Sequence, residues 1–503
     1  MAGCEHLLQA HKSVLRNYVA RGTAWILAGV AFQQAMGFVN AAVSLRFVDV
    51  TAFGSFVFLL SWVTIFVAVV TQGLHHAATR FLASHLARNQ DRAARNVLVE
   101  IRWLIVVAAA AIAFISPWLA KSVPDSIAEF FPIQTAVAFF IGYVLLQSLL
   151  NVDQYAALGL KNPRLSSVIG FFLPPAIRLV LLFSILPLLP STAGLAVAFG
   201  GSLLLTLVVA EMLLASAGFM LGRPSLLGAG ALYKYAAPLM ISDVFTLLLF
   251  QADKLLLGYL WNLEAVGVYM IASRLAFLTV APHWAAANVY SPLMAEAWTV
   301  GQLDELRRVF QRNTERFLFV TGAVGSILVI NAPSILGLFG EEFRDPRLAD
   351  VVQILIVGLW LSVATGHQGQ FYRMTGRSWI TTVNSALAAL LAVGLGFLWI
   401  PNHDIIGAAL ATAIAVVTLN VCGLLWMLGL FGSRLHPFGS RYARAAIAGA
   451  ALLVLGFAGA DNPVAGTVAS LVALGILGWF VLRDEARVLL DRLSRQEHHV
   501  DRE

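Results

Sequence analysis

The chain has 503 residues, of which 59% are hydrophobic and only 12% charged, and its mean hydropathy is +0.81. A water-soluble domain carries about 25% charged residues, so half that share leaves too little charge to clothe a surface in water. The formal net charge of +6 does not call for nucleic acid, because the basic residues flank apolar stretches on one side.

Uncharged apolar stretches of bilayer-spanning length recur from near residue 22 to near residue 482. Lipid offers the backbone no hydrogen-bond partners, so such stretches must be helices. The first, 22–45, is longer than a signal-peptide core and lacks a cleavage site, so it reads as a retained span. Spans 52–74, 103–120, 132–158, 165–187 and 192–221 complete a first set of six. A second set covers 236–260, 264–290, 317–340, 351–373, 378–400 and 405–432, and two further spans cover 442–460 and 463–482. The expected fold is therefore an all-α polytopic membrane protein of about 14 transmembrane helices. Its expected parts are a cytoplasmic segment 1–21, six-helix lobes 22–222 and 223–433, two additional helices within 434–483, and a cytoplasmic tail 484–503. Cys4 and Cys422 lie at opposite ends of the chain, which suggests neither a disulfide framework nor a metal cluster.

Loop charge tests the count independently. With the N-terminus in the cytoplasm, 26 Lys and Arg fall inside, 4 outside (Arg46, Lys121, Arg344 and Arg347) and 3 within spans. A missed or extra span near the middle would destroy that asymmetry, so both termini are expected inside.

An internal repeat accompanies the count. Asp49-Val-Thr-Ala-Phe-Gly-Ser-Phe56 matches Asn262-Leu-Glu-Ala-Val-Gly-Val-Tyr269, each opening the second span of a six-span set. Both spans lead into charged, amphipathic connections near 80–102 and 296–316, read as helices on the membrane surface. Tyr155-Ala-Ala-Leu-Gly159 and Tyr372-Arg-Met-Thr-Gly376 end corresponding spans. Two like-oriented halves follow, related by an axis along the membrane normal.

Charge inside a span is costly and usually faces a protein or aqueous interior. The residues concerned are Arg178, Glu211, Asp243, Asp253, Lys254 and Arg274. By a rise of about 1.5 Å per residue, Arg274 lies near mid-membrane, Arg178 and Lys254 in the outer half, and Arg46 at the outer mouth of the first span. Four cations along one internal path suit a diphosphate, which Arg binds bidentately and Lys as a point charge. The alternative makes them structural, with Arg178 paired to Glu211 and Lys254 or Arg274 paired to Asp253 or Asp243. Arg274, Ala281, Ala285 and Asn288 share a face of small or polar side chains that could line a cavity. His75, His76, His283 and His367 lie at or in spans, but no pair has metal-ligand spacing on one helical face, so they read as packing residues. Pro174, Pro175, Pro187, Pro238 and Pro282 would bend or break their helices. His283 and Trp284, after Pro282, are candidates for contact with substrate. No phosphate-binding glycine loop, nucleophile elbow or pair of catalytic carboxylates is present, so neither an enzyme nor an ATP-driven pump is expected, and no cofactor.

Three stretches carry a family resemblance: Tyr235-Ala-Ala-Pro238-Leu-Met-Ile-Ser242, Asp253-Lys-Leu-Leu-Leu-Gly258-Tyr, and Ala265-Val-Gly267-Val-Tyr269-Met-Ile-Ala272-Ser-Arg274-Leu. They resemble the polysaccharide-transport (oligosaccharide flippase) family of the multidrug/oligosaccharidyl-lipid/polysaccharide exporter superfamily. The resemblance implies two six-helix lobes around a central cavity that opens alternately to each side. It implies a lipid-linked oligosaccharide substrate, a polyprenyl diphosphate-linked sugar moved from cytoplasm to periplasm across a bacterial inner membrane. Basic residues are usual in such flippases at the positions of Arg274 and Lys254, which implies that these two face the substrate. A monomer in contact with membrane lipids, serving the polymerase and glycosyltransferases of the same pathway, is the expected setting.

Three rival readings remain. A cation-coupled multidrug or lysophospholipid exporter of the same fold would be expected to hold acids deep in the N-terminal lobe, where spans 1 to 5 contain only Asp153. A polymerase or ligase would need a sizeable periplasmic loop, and the largest here is the acidic Gly340–Asp350 stretch of about ten residues. A peptidoglycan-precursor flippase shares fold and headgroup, and is the second choice.

Overall fold

The computed structural model describes residues 2–120, 133–216, 218, 229–284, 286–287, 294, 297–298, 300–460 and 462–478. The expected tail 484–503, and Ala285 and Asn288 of the expected polar face, lie outside them. Among the described residues there is no β-strand, as lipid requires of a chain this apolar. The chain divides into two compact units. The first holds Met1–Ile271, Leu338–Phe343 and Arg377–Ala415, and the second Ala272–Gly337, Arg344–Gly376 and Val416–Glu503.

In chain order the first unit carries α1 (Ala2–Phe47), α2 (Val50–Thr71), α3 (Leu74–Leu86), α4 (Asp91–Ala120) and α5 (Ile133–Gly159). Then follow α6 (Pro163–Ile185), α7 (Thr192–Ser216), α8 (Ala229–Leu260) and most of α9 (Leu263–Phe277). The second unit carries α10 (Leu303–Leu336), α11 (Pro346–Val363), α12 (Gln368–Met374), the end of α13 (Ser378–Phe431), α14 (Tyr442–Ala458) and α15 (Pro463–Gly478).

Eleven of these helices are long and apolar enough to cross a membrane, against the expected count of about 14. The difference lies at the C-terminal end. The stretch Ser378–Phe431, α13, is two helices joined across a kink at Asp404, where φ is 42° and ψ −124°, just after Pro401, and the kink falls between the expected spans 378–400 and 405–432. α14, of 17 residues, and the described part of α15 are shorter apolar helices. Proline acts elsewhere much as anticipated: a π-helical turn at Val168–Phe172 precedes Pro174 and Pro175 in α6, and a 3₁₀ turn at Leu278–Val280 precedes Pro282. Pro238 sits inside α8.

The matched repeat segments meet. Asp49 caps α2 by accepting the Thr51 backbone N–H at 2.9 Å, and the Asn262 side chain accepts the Ala265 N–H at 2.7 Å at the start of α9. Five residues after each cap stands a glycine, and the two helices cross there. A Cβ on Gly54 would strike the Leu263 carbonyl, and one on Gly267 would lie 2.7 Å from the Val50 carbonyl. Beyond the crossing α2 runs along α8, with Phe58 against Gly258 and edge-on to Tyr259 at 5.3 Å between ring centroids. Lipid tails are as apolar as leucine, so such helices gain contact from small residues that let backbones approach.

The second unit uses the same device. Gly322 of α10 meets Gly449 of α14, Ser326 meets Gly456, and α15 closes on α10 through Ser326–Ser470 and Asn331–Thr467 hydrogen bonds of 3.0 and 3.1 Å. Phe319, Ala323, Ala448 and Leu452 fill the core between them, with Leu474 and Leu477 of α15 packed on it. Gly54→Ala should therefore lower thermal stability in detergent by about 1–3 kcal/mol through overpacking. Gly142→Ala in α5, with nothing within 4 Å of its Cβ, should be neutral or stabilise by up to about 1 kcal/mol.

Candidate functional site

Among the described residues, three clusters of ionisable side chains stand out in the first unit. The deepest is centred on Arg102 of α4. Its Nε and Nη2 donate to Asp153 Oδ1 of α5 at 3.1 and 2.5 Å, and Nη2 also reaches Glu211 Oε1 of α7 at 2.9 Å. The Asp153 side chain is fully buried and that of Arg102 6% exposed, while Glu211 keeps 31%. The loop assignment puts Arg102 at the end of a membrane-surface connection, and the structural alternative pairs Arg178 with Glu211. The structure assigns Glu211 to Arg102. Arg178 of α6 instead lies over the Phe199 ring of α7, 4.1 Å from its centroid. The signal for Arg102 was legible: an arginine one residue before an apolar run, with two acids on other spans needing a partner.

The second cluster lies on α8. The Lys254 ammonium donates to the Phe250 carbonyl and to Asp253 Oδ1, both at 2.9 Å, and Asp253 Oδ1 also accepts the Lys254 backbone N–H at 2.8 Å. Thr412 of α13 and the buried Tyr269 of α9 stand beside the Asp253 carboxylate. Lys254 thus takes its immediate neighbour as counter-ion, and its charge is turned back along its own helix.

The third cluster brings together residues the sequence left as separate. Gln72 and Gly73 both adopt positive φ, 52° and 68°, ending α2 and redirecting the chain into α3. A Cβ at Gly73 would lie 2.5 Å from the Ala236 carbonyl, so only glycine allows this approach to α8. His75 and His76, two and three residues on, then face Asp243, two turns after Ala236. Their Nε2 atoms lie 3.7 and 3.5 Å from Asp243 Oδ2. The Tyr155 ring of α5 meets both imidazoles edge-on, with centroids 4.6 and 5.4 Å away. Burial, with His76 beside it, pushes His75 down to about 3 despite the pull of Asp243.

Of the other expected site residues, Arg46 is exposed in the last turn of α1, where a cation complements the helix dipole. Arg274 is half-buried in the last turn of α9 and belongs to the second unit. In that unit His283 and His367 stack at 3.7 Å, and a His367 ring nitrogen lies 2.8 Å from the His283 carbonyl oxygen. A cavity of about 500 Å³ there is lined by Trp298, Gly301, Leu303, Leu430, Phe431 and Arg434, none of them singled out by sequence.

Two outcomes test these clusters. Arg102→Ala leaves Asp153 buried without its cation and should cost about 3–5 kcal/mol of stability, whereas the joint Arg102→Met, Asp153→Leu variant should recover most of the loss in detergent melts. An unfolded histidine titrates near 6.5, so below that pH the unfolded chain takes up a proton that folded His75 refuses. The stability tied to neutral His75 is present above about pH 6.5 and is lost progressively as pH falls toward 3. The slope, about 1.4 kcal/mol per pH unit from this group, should flatten in His75→Gln.

Residues 19–298, more than half the chain, match the family model described as polysaccharide biosynthesis protein, and residues 238–398 match the MatE model. No curated protein matches the chain. Among solved structures it is similar to a multidrug resistance MATE family transporter of the MOP superfamily in the inward-facing conformation. The identity is 15% and the TM-score 0.69, covering 80% of this chain and 95% of that one. The outward-facing conformation of such a transporter aligns at 13% identity and a TM-score of 0.62, over 83% and 96%. A MOP superfamily transporter from Pyrococcus furiosus, described by the reversed polarity of its binding pocket, aligns at 14% identity and 0.63 over the same shares. At these identities the likeness establishes the fold alone, a MATE-like helical fold. With more than half its length in one family model, this multi-pass membrane chain belongs to the polysaccharide biosynthesis protein family.

Proposed function

We propose that the chain is a flippase. It carries undecaprenyl diphosphate-linked oligosaccharide from the cytoplasmic to the periplasmic face of a bacterial inner membrane, by alternating access of two six-helix lobes. The match of residues 19–298 to the polysaccharide biosynthesis family carries this reading. In it both termini are cytoplasmic, the lipid tail stays in the bilayer, and the diphosphate meets cations inside the protein. Arg274 and Lys254 are the residues assigned to that contact, with Arg178 and Arg46 along the route. The proposed working form is a monomer serving the polymerase and glycosyltransferases of its pathway.

The geometry refines these roles. Lys254 is already held by Asp253, so it meets a diphosphate as half of an ion pair, and release from Asp253 would accompany substrate binding. Arg178 offers a guanidinium held over a ring.

A multidrug exporter is the second reading, favoured by the MatE match at 238–398 and by the fold of the solved transporters. Cation coupling through the early helices would call on Asp153 or Glu211, and both are engaged by Arg102, which counts against it.

Deleting the protein in its own host and locating the lipid-linked sugar tests the proposal. Accumulation on the cytoplasmic face, reversed by the intact protein, is expected. Unchanged lipid-linked sugar with altered sensitivity to cationic drugs would favour the exporter. Arg274→Ala should keep expression but lose at least about tenfold in flipping, the worth of a charge-assisted contact of roughly 1.5–3 kcal/mol. Full flipping with alanine there would remove Arg274 from the substrate path.

A further inference from the structure

The cluster of His75, His76 and Asp243 has no part in the transport reading, and its chemistry differs from that of the basic residues. Two imidazoles and one carboxylate converge from two helices, and one ligand atom from each lies within 4.8 Å of the others. The two Nε2–Oδ2 separations, 3.7 and 3.5 Å, exceed an ordinary hydrogen bond. They approach the ligand–ligand spacing of about 3.3 Å around a tetrahedral ion with bonds of about 2.0–2.1 Å. The carboxylate sets the sign: an anionic headgroup is repelled here, and a cation is drawn in.

The scaffold holds the three groups on both sides. Gly73 presses the start of α3 against α8 at Ala236. The Thr79 hydroxyl, one turn after His75, donates to the Tyr155 carbonyl of α5 at 2.7 Å. The Tyr155 ring edges limit how far either imidazole can swing. Ala77, Ala78 and Leu82 on the same short helix are completely buried. Exposures of 14%, 28% and 25% for the three side chains leave one side open for a water as a further ligand.

We propose that His75, His76 and Asp243 bind a divalent transition-metal ion of the zinc class, which pins the start of α3 to α8. Two nitrogens and one oxygen suit such an ion. Magnesium and calcium call for oxygen ligands in larger number, and soft monovalent copper calls for sulfur. The site lies wholly in the first unit and does not depend on what the protein transports.

The test uses the full-length protein in detergent, without a polyhistidine tag, loaded with Co2+ or Zn2+ and then desalted. The wild type should retain one more equivalent of metal than Asp243→Asn, and its Co2+ form should show the visible bands of tetrahedral nitrogen–oxygen coordination. Zn2+ should raise the melting temperature of the wild type and leave that of the variant unmoved. His76→Gln removes a ligand from the other helix and should show the same loss, which keeps the test open if Asp243→Asn does not fold. Equal metal retention by wild type and either folded variant would overturn the proposal. So would a wild type that retains no metal.

Discussion

Where α2 and α9 cross, two backbones touch with no side chain between them, because Gly54 and Gly267 stand at the contact. In a bilayer, gathering apolar side chains gains little, since lipid tails solvate them equally well. What holds helices together is close packing between backbones and the polar groups that closeness brings into range. Gly73 against Ala236, Gly322 against Gly449 and Ser326 against Gly456 repeat the device. Each fixes the depth and rotation of one helix relative to the next, and so decides which polar side chains can meet.

The charged groups show the consequence. An ion taken out of water is costly unless it is paired, and each cation inside the first unit has its own arrangement. Arg102 spans two carboxylates from two other helices, Lys254 folds onto the adjacent Asp253, and Arg178 rests on an aromatic face. Arg102 ties α4, α5 and α7 into a block whose charges are largely spent on one another, as befits a scaffold. Lys254 is tied within a single helix, to one neighbour, and can be released without separating two helices. The proposed flippase would use both kinds of site: ion pairs that keep a bundle rigid, and a cation that exchanges its partner for a passing diphosphate.

Much of this was legible in the linear chain. Low charge and long apolar runs made a helical membrane protein the only economical reading. The paired segments Asp49–Phe56 and Asn262–Tyr269 each carry a side-chain cap and, five residues on, a glycine at which the two helices touch. The Tyr235–Leu275 window carried the family resemblance. All of these are properties of composition, period or local sequence, and none requires knowing which helix lies beside which.

The partners of the charges are of another kind. A rise of about 1.5 Å per residue gives the depth of a side chain along its helix, but not the direction it faces or the helix it meets. Depth alone therefore allows Glu211 to be offered to Arg178, when packing gives it to Arg102, and a loop count places Arg102 in a connection at the membrane surface. The histidines were judged by spacing on a single helix, whereas Asp243 joins them from α8, brought there by the left-handed turn at Gln72 and Gly73. By contrast, the kink of α13 at Asp404 falls between the expected spans 378–400 and 405–432, a break the sequence alone located. The sequence by itself determined that this chain lives in a membrane as helices and belongs to the polysaccharide biosynthesis protein family. Only the tertiary structure decided which ions pair and where a cation could be held, because burial charges each ionisable group a cost that a neighbour from another helix must offset.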